Sequence, residues 1–292
     1  MLLKGLFLIS RPLNSFLSGF AVVIGAIAAI SHPLTQNQLW GVLLGYLTTS
    51  LVAVGGYAMN DVFDIEIDKI NMPHRPLPSG YLTLNQAKTY AAILFIIGNL
   101  LALMIDVPAF LLAFSAGLLL YMYAAYFKRA GFLGNIMIGI LTAVPFIFGG
   151  LLTASYETMI FPALFAFLLI VGREVIKDIE DVRGDRMESV KSVALTYGVG
   201  TARNLGYAFL VVLMVISPLP IILGYYSSPI FIVIVLGIDV AILFVGYLLF
   251  KRNEEEIVRN ATRCKRLLKT CISFGILAFV IEGLGKLLLL SG

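Results

Sequence analysis

The sequence is short of charge. Only 13% of its 292 residues are Asp, Glu, Lys or Arg, against about 25% in an ordinary soluble domain. That is too few to coat a water-facing surface, and it excludes a soluble globular enzyme. Histidine and cysteine are scarcer still, two of each, which leaves no room for a Cys/His metal cluster. The two cysteines, Cys264 and Cys271, stand seven residues apart near a basic segment. On one helix they lie two turns, or about 10 Å, apart, beyond the reach of a disulfide, so both are expected as free thiols on the cytosolic side. The opening MLLKGLFLISRPLN lacks a signal peptide's continuous apolar core and cleavage site, and it reads as a short interfacial helix. No nucleic-acid partner is expected.

What is present is grease. The chain is 60% hydrophobic, with a mean hydropathy of +0.96, which indicates an all-α polytopic membrane protein. Apolar runs of membrane length predict nine helices, at 14–31, 38–58, 86–105, 108–127, 132–154, 158–177, 201–223, 229–250 and 268–290. Lys and Arg set the orientation. With nine spans, 20 of the 21 basic residues fall on one side and only Lys286 on the other. That side is expected to be the cytoplasm, with the N-terminus inside and the C-terminus outside.

The charges that remain are concentrated. Ten of the 17 acidic residues lie in two cytosolic patches, at the ends of the second and sixth spans. Asp61, Asp64 and Asp68 are spaced i, i+3, i+7, and so are Asp178, Asp181 and Asp185. On a helix each set shares one face. Like charges stacked in this way destabilise a helix, and carboxylates at a helix C-terminus oppose its dipole, so a solvated acidic helix end explains the pair poorly. Hard divalent cations take oxygen ligands, and Mg²⁺ prefers a few carboxylates plus water and phosphate oxygens. Two such ions would grip a diphosphate from both sides. Arg75, Lys128, Arg129, Arg173 and Lys177 lie in the same loops and offer charge for the remaining phosphate oxygens; taken singly, each is equally well explained as a positive-inside signal.

These stretches carry a resemblance. NDVFDIEIDKINMPHRPLPSG, from Asn60, resembles the first aspartate-rich motif of the UbiA-type membrane prenyltransferases, and REVIKDIEDVRGDR, from Arg173, resembles the second. The early RPLN, Arg11 to Asn14, fits the family's opening. The resemblance covers essentially the whole chain and implies a single domain over 1–292. Nine helices would ring a central cavity open sideways to the bilayer, capped by the motif segments 60–84 and 173–198. It implies transfer of a prenyl group from a diphosphate donor with Mg²⁺, two ions being expected. Asn60, Asp61, Asp64 and Asp68 would form one metal and diphosphate wall, and Asp178, Asp181 and Asp185 the other. Arg75 would close the cap or hold diphosphate. Many members carry Tyr-x-x-x-Lys at the end of the fourth span. Here Lys128 is present as a diphosphate contact but Ala124 replaces the tyrosine, leaving Tyr123 or Tyr126 as substitutes.

The chemistry needs a dry site, because an allylic cation is quenched by water. Tyr57, Phe63, Tyr121, Tyr123, Phe146 and Phe148 are candidates to line it and face the cation, although for any one of them core or lipid contact is the commoner role. Arg11, Asn14 and Ser18, at the cytosolic end of the first span, are candidate acceptor contacts. Asn135 begins the fifth span at the same level.

The resemblance implies an acceptor that is a lipid phosphate, an aromatic or quinone precursor, or a chlorophyll- or heme-type molecule. Members with phenolic acceptors often place a basic residue directly after the middle aspartate; here that residue is Ile65. The compact chain and its K-D-I-E-D-V-x-G-D-R form look most like the family's archaeal ether-lipid branch, which implies geranylgeranylglyceryl phosphate as acceptor. Asp239 sits in mid-span, where an ionised carboxylate is expensive, and is expected to be protonated or bonded to a neighbouring helix. Glu282 and Lys286, at i, i+4, are expected to pair near the outer face. A cation transporter would need carboxylates along a path through the bilayer, and only Asp239 lies at such depth.

Overall fold

The computed structural model describes residues 1–30, 32–154, 156–187 and 191–291, with backbone alone for 183–187 and 291. Among the described residues every regular element is a helix. A short α1 (Leu2–Ile9) precedes α2 (Pro12–Ala29). Next come α3 (Gln36–Phe63), α4 (Ile65–Asn71), α5 (Leu84–Leu103) and α6 (Val107–Ala125). A 3-10 turn at Phe127–Arg129 leads to α7 (Phe132–Leu152) and α8 (Ile160–Met187). The chain ends with α9 (Val193–Tyr197), α10 (Val199–Ile216), α11 (Leu219–Ile222), α12 (Pro229–Leu249) and α13 (Glu254–Ser291).

Helix starts are marked by local chemistry. Thr35 and Gln38 form a capping box on α3, and Thr83 and Gln86 form one on α5; each satisfies two orphan backbone donors. The Asp106 carboxylate accepts from the Ala109 N–H at the start of α6.

Among the described residues eight helices are long and apolar enough to cross a membrane: α2, α3, α5, α6, α7, α10 continued through α11, α12 and α13. The expected span at 158–177 corresponds to α8. Three boundaries differ from expectation in an informative way. α3 runs on to Phe63 and α8 to Met187, so the acidic motifs ride on helical extensions rather than on loops. α13 begins at Glu254 rather than 268. Three glutamates in its first turn suit the helix dipole. Its buried stripe Ile257, Ala261, Cys264, Leu268 and Cys271 is continuous across the expected start. Both cysteines are free and buried on that stripe.

The chain forms two compact units. The first comprises Met1–Ala26, Leu34–Tyr126 and Val144–Ala154, and the second Ile27–Pro33, Phe127–Ala143 and Ser155–Gly292. In the first unit α3 packs along α5 and α6 through small residues. Ala87, Ala91, Gly98 and Ala102 make a buried stripe on α5, and Ala109, Ala113 and Gly117 make one on α6. Small faces let membrane helices approach closely. The same device brings Gly25 of α2 against the Phe146 backbone of α7, and Gly149 against the Val22 backbone. α1 lies with Gly5 against Leu82 and Tyr81 and leaves Leu3 and Phe7 exposed, as an interfacial helix would.

In the second unit α8, α10, α12 and α13 share one core that includes Ile176, Ile179, Leu210, Ile242, Leu249 and Leu268. α8 and α10 cross where Gly172 and Gly206 face each other's backbone.

Candidate active site

The first carboxylate group belongs to the first unit. α3 breaks at Asp64, whose φ and ψ are −91° and 1°, and α4 resumes at once. The helical hydrogen bonds bridge the break, with Asp64 N–H to Asn60 O at 3.0 Å and Asp68 N–H to Asp64 O at 2.8 Å. The i, i+3, i+7 face therefore survives the kink. Asp61, Asp64 and Asp68 are only 3%, 3% and 5% exposed. Burying three carboxylates is costly unless each is paired, and the structure supplies partners. The Arg11 guanidinium bonds Asp61. Arg75 donates to both carboxylate oxygens of Asp68 at 2.9 and 2.7 Å and lies 3.5 Å from Asp61. Asn60 donates to Asp64 at 2.9 Å. Ile65 and Ile67 are half-buried to the side.

Arg11 reaches Asp61 from the joint between α1 and α2, where its φ is +45°, a left-handed conformation that costs an arginine energy. Its guanidinium also lies 5.3 Å from the centroid of the Tyr57 ring, and the Tyr57 hydroxyl meets Ser18 Oγ at 3.2 Å. Arg11, Asn14 and Ser18 thus line one face at the start of α2, with Asn14 exposed.

The second carboxylate group belongs to the second unit and is more open. Asp178 accepts from Asn135 Nδ2 at 2.9 Å and from the Val193 N–H at 3.4 Å. Asp181 faces Lys177 at 3.8 Å, their side chains being 42% and 41% exposed. Lys177 also lies 3.5 Å from Glu174, which is bonded by Arg173. A further ion pair ties Lys265 of α13 to Glu180. The side chain of Asp185 lies outside the described residues. Lys128 and Arg129 sit exposed on the 3-10 turn.

Asn135 is a residue that sequence reasoning placed at the right level but gave no role. Its only signal was an amide at the cytosolic end of an apolar helix. Of the two tyrosines offered in place of Ala124, Tyr126 is 69% exposed, and Tyr123 is half-buried. Phe63 and Tyr121 meet edge to face at 5.6 Å beside a groove of about 530 Å³ that is also lined by Met59, Val62, Ile65, Leu84 and Lys88. Phe146 and Phe148 are buried, and Phe148 packs with Val22 and Ala109 as core.

Two expectations outside the site are now resolved. Asp239 accepts from Ser217 Oγ at 2.8 Å, a bond to a neighbouring helix. Glu282 lies close enough to Lys286 to act on its charge, but its hydrogen bonds go elsewhere. It is buried and accepts from the Ser227 and Ser228 N–H groups at 3.1 and 2.9 Å, at the entry to α12. Lys286 donates to Ala28 O at 3.2 Å and lies over the Tyr226 ring. Orphan backbone groups at helix ends outcompete an i, i+4 pair worth a few tenths of a kcal/mol.

The donor set is all hard oxygen, which suits Mg²⁺ or a similar cation. Among the described residues no three His, Cys, Asp or Glu side chains converge on one point. Mg²⁺ typically takes only one or two carboxylates, completing its shell with water and phosphate oxygens, so the donors fit an ion that arrives with a diphosphate.

Residues 17–267 match the UbiA prenyltransferase family. The chain belongs to that family. Among its relatives is the digeranylgeranylglyceryl phosphate synthase of Saccharolobus solfataricus, 36% identical over 270 residues, which cover 90% of this chain and 93% of that one. A solved structure of a digeranylgeranylglyceryl phosphate synthase in membranes matches with a TM-score of 0.83 and 32% identity, over 96% of this chain and 98% of that one. A UbiA homologue from Archaeoglobus fulgidus, bound to GPP and Mg²⁺, shares the fold at a TM-score of 0.74 and 17% identity, over 97% of this chain and 99% of that one. The chain is therefore an all-helical, multi-pass membrane prenyltransferase with the UbiA fold.

Proposed function

We propose that this prenyltransferase moves a geranylgeranyl group from geranylgeranyl diphosphate to the free hydroxyl of geranylgeranylglyceryl phosphate. The product is digeranylgeranylglyceryl phosphate, a precursor of archaeal membrane ether lipids. The observation that carries the reading is near full-length identity of 32–36% to digeranylgeranylglyceryl phosphate synthases, one curated and one of solved structure. The neutral Ile65 after Asp64, in place of the basic residue frequent among phenol-prenylating members, points the same way.

In this reading Asp61, Asp64 and Asp68, with Asn60, would offer oxygen ligands to one Mg²⁺, and Asp178, Asp181 and Asp185 to a second, the rest of each shell coming from water and the donor's diphosphate. Bound there, the ions would supply Lewis-acid charge to the diphosphate as it leaves. Arg75, whose Nη1 already serves both oxygens of Asp68, turns its remaining donors to phosphate oxygens. Lys128, Arg129, Arg173 and Lys177 add positive charge from the second unit. Asn135 and the Val193 N–H hold Asp178 in a fixed orientation, so its oxygens need little reorganisation when charge develops. The C–O bond of the donor breaks to a delocalised allylic cation, and the acceptor hydroxyl attacks with loss of its proton. Arg11, Asn14 and Ser18 take the acceptor's phosphate. Nine spans, with α8 among them, place the motifs at the cytoplasmic face and the C-terminus outside.

The test is a transferase assay with purified protein, Mg²⁺ and labelled geranylgeranyl diphosphate, offering each acceptor separately. Geranylgeranylglyceryl phosphate is expected to yield a labelled lipid phosphate, with Asp61→Asn and Asp178→Asn each slowing the reaction by about 100-fold or more. Product formed only with hydroxybenzoate or dihydroxynaphthoate would overturn the acceptor assignment.

A further inference from the structure

Two arginines converge on a single oxygen. Both the Arg11 and the Arg75 guanidinium reach Asp61 Oδ1. A cation bound at that oxygen has to displace what stands there, because guanidinium and metal compete for the same lone pairs. The two arginines are held very differently. Arg75 keeps two bonds to Asp68, and its backbone N–H is bonded to Met72 O at 2.9 Å within the turn after α4. Losing Asp61 costs it only its longest contact. Arg11 has Asp61 as its one ion-pair partner among the described residues, it stacks on Tyr57, and its backbone sits at φ +45°. The joint that carries it is two residues long, between α1 and α2, and its left-handed backbone is strained. With Asp61 taken by a cation, Arg75 stays anchored on Asp68, whereas Arg11 has no second carboxylate to retain it among the described residues. Arg11 is therefore the partner able to leave. The face it shares with Asn14 and Ser18 presents further polar groups, the Ser18 hydroxyl lying beside that of Tyr57.

We propose that Arg11 is a displaceable counter-ion. It occupies Asp61 until metal and donor diphosphate arrive, and it is then passed to the phosphate of the acceptor. Donor metal and acceptor consequently bind with positive cooperativity. The acceptor phosphate that draws Arg11 away bares Asp61 for the metal, and by linkage the metal makes Arg11 available to the phosphate. This rests on the proposed function, since it takes Asp61 as a metal ligand and a phosphate-bearing acceptor. It adds a coupling between the two substrates that neither carboxylate group provides alone.

The test uses Mn²⁺ as a spectroscopic probe, its binding to the full chain in detergent being followed by electron paramagnetic resonance. Arg11→Gly removes the guanidinium and suits the backbone, because glycine adopts positive φ without cost; thermal unfolding checks that the variant is folded. Arg11→Lys keeps the charge. For the wild type, geranylgeranylglyceryl phosphate is expected to tighten Mn²⁺ binding about tenfold. Arg11→Gly is expected to bind Mn²⁺ about tenfold more tightly than the wild type without acceptor, to show no further tightening with it, and to raise KM for the acceptor more than KM for the donor. Arg11→Lys should retain part of the coupling. If Mn²⁺ affinity in Arg11→Gly is unchanged or weaker, or if acceptor leaves wild-type affinity unmoved, while Mn²⁺ still binds in the presence of a donor thiodiphosphate, the exchange is wrong and the function stands. If wild-type protein binds no Mn²⁺ even with the thiodiphosphate, the metal-site reading falls and the exchange falls with it.

Discussion

Asp61 and Asp178 carry the same charge in opposite surroundings. Asp61 is buried between guanidinium groups, whereas Asp178 is steadied by an amide and a backbone N–H. Removing either kind of support has a different signature. Asn135→Leu deprives Asp178 of its closer donor, and loss of such an outer partner is expected to raise the Mg²⁺ concentration needed for half-maximal activity by about 10-fold. Titrating activity against Mg²⁺ checks this, and an unchanged Mg²⁺ dependence would remove Asn135 from the site. The aspartates themselves were legible, because i, i+3, i+7 spacing survives any helical kink of this size. The Asn135 contact was not. It joins residues 43 positions apart, and which helices neighbour each other is a tertiary fact. The cations behaved likewise. Arg75 is assigned from the motif that contains it, but the hold of its Nη1 on both oxygens of Asp68 comes from the turn geometry after α4.

At the scale of helices, hydropathy located eight of the nine expected spans among the described residues and misjudged several ends. Apolar runs set the expected ends, but α3, α8 and α13 continue beyond them, sustained by ladder hydrogen bonds and by buried faces such as Ile257, Ala261 and Cys264. The role of Glu282 was hidden for a related reason, since its partners are the two residues that lead into a different helix. What holds these helices at close range is the absence of side chains at their crossings. A Cβ at Gly149 would meet the Val22 backbone, whereas one at Gly237 meets nothing within 4 Å. Gly149→Val is therefore expected to cost about 1–3 kcal/mol through overpacking and to lower the unfolding midpoint by several degrees. Gly237→Ala should be neutral or gain up to about 1 kcal/mol in helix propensity. Thermal unfolding in detergent compares them, and a Gly237→Ala protein as damaged as Gly149→Val would contradict the packing described.

At the scale of the molecule, the repeated spacing acquires its meaning. The first carboxylate group lies in one compact unit and the second in the other. Each alone is an acidic patch with partial neutralisation by Arg or Lys, and neither gathers three carboxylates on one point among the described residues. Under the proposed function the missing ligands would be diphosphate oxygens of the donor, and each group would hold one Mg²⁺. Counting ions tests this most directly. Equilibrium Mn²⁺ binding should give two ions per chain in the presence of geranylgeranyl thiodiphosphate. It should fall to one when Asp61 and Asp68 are both changed to Asn, and to one when Asp178 and Asp181 are. Two ions retained in either double variant would contradict the assignment of one ion to each group.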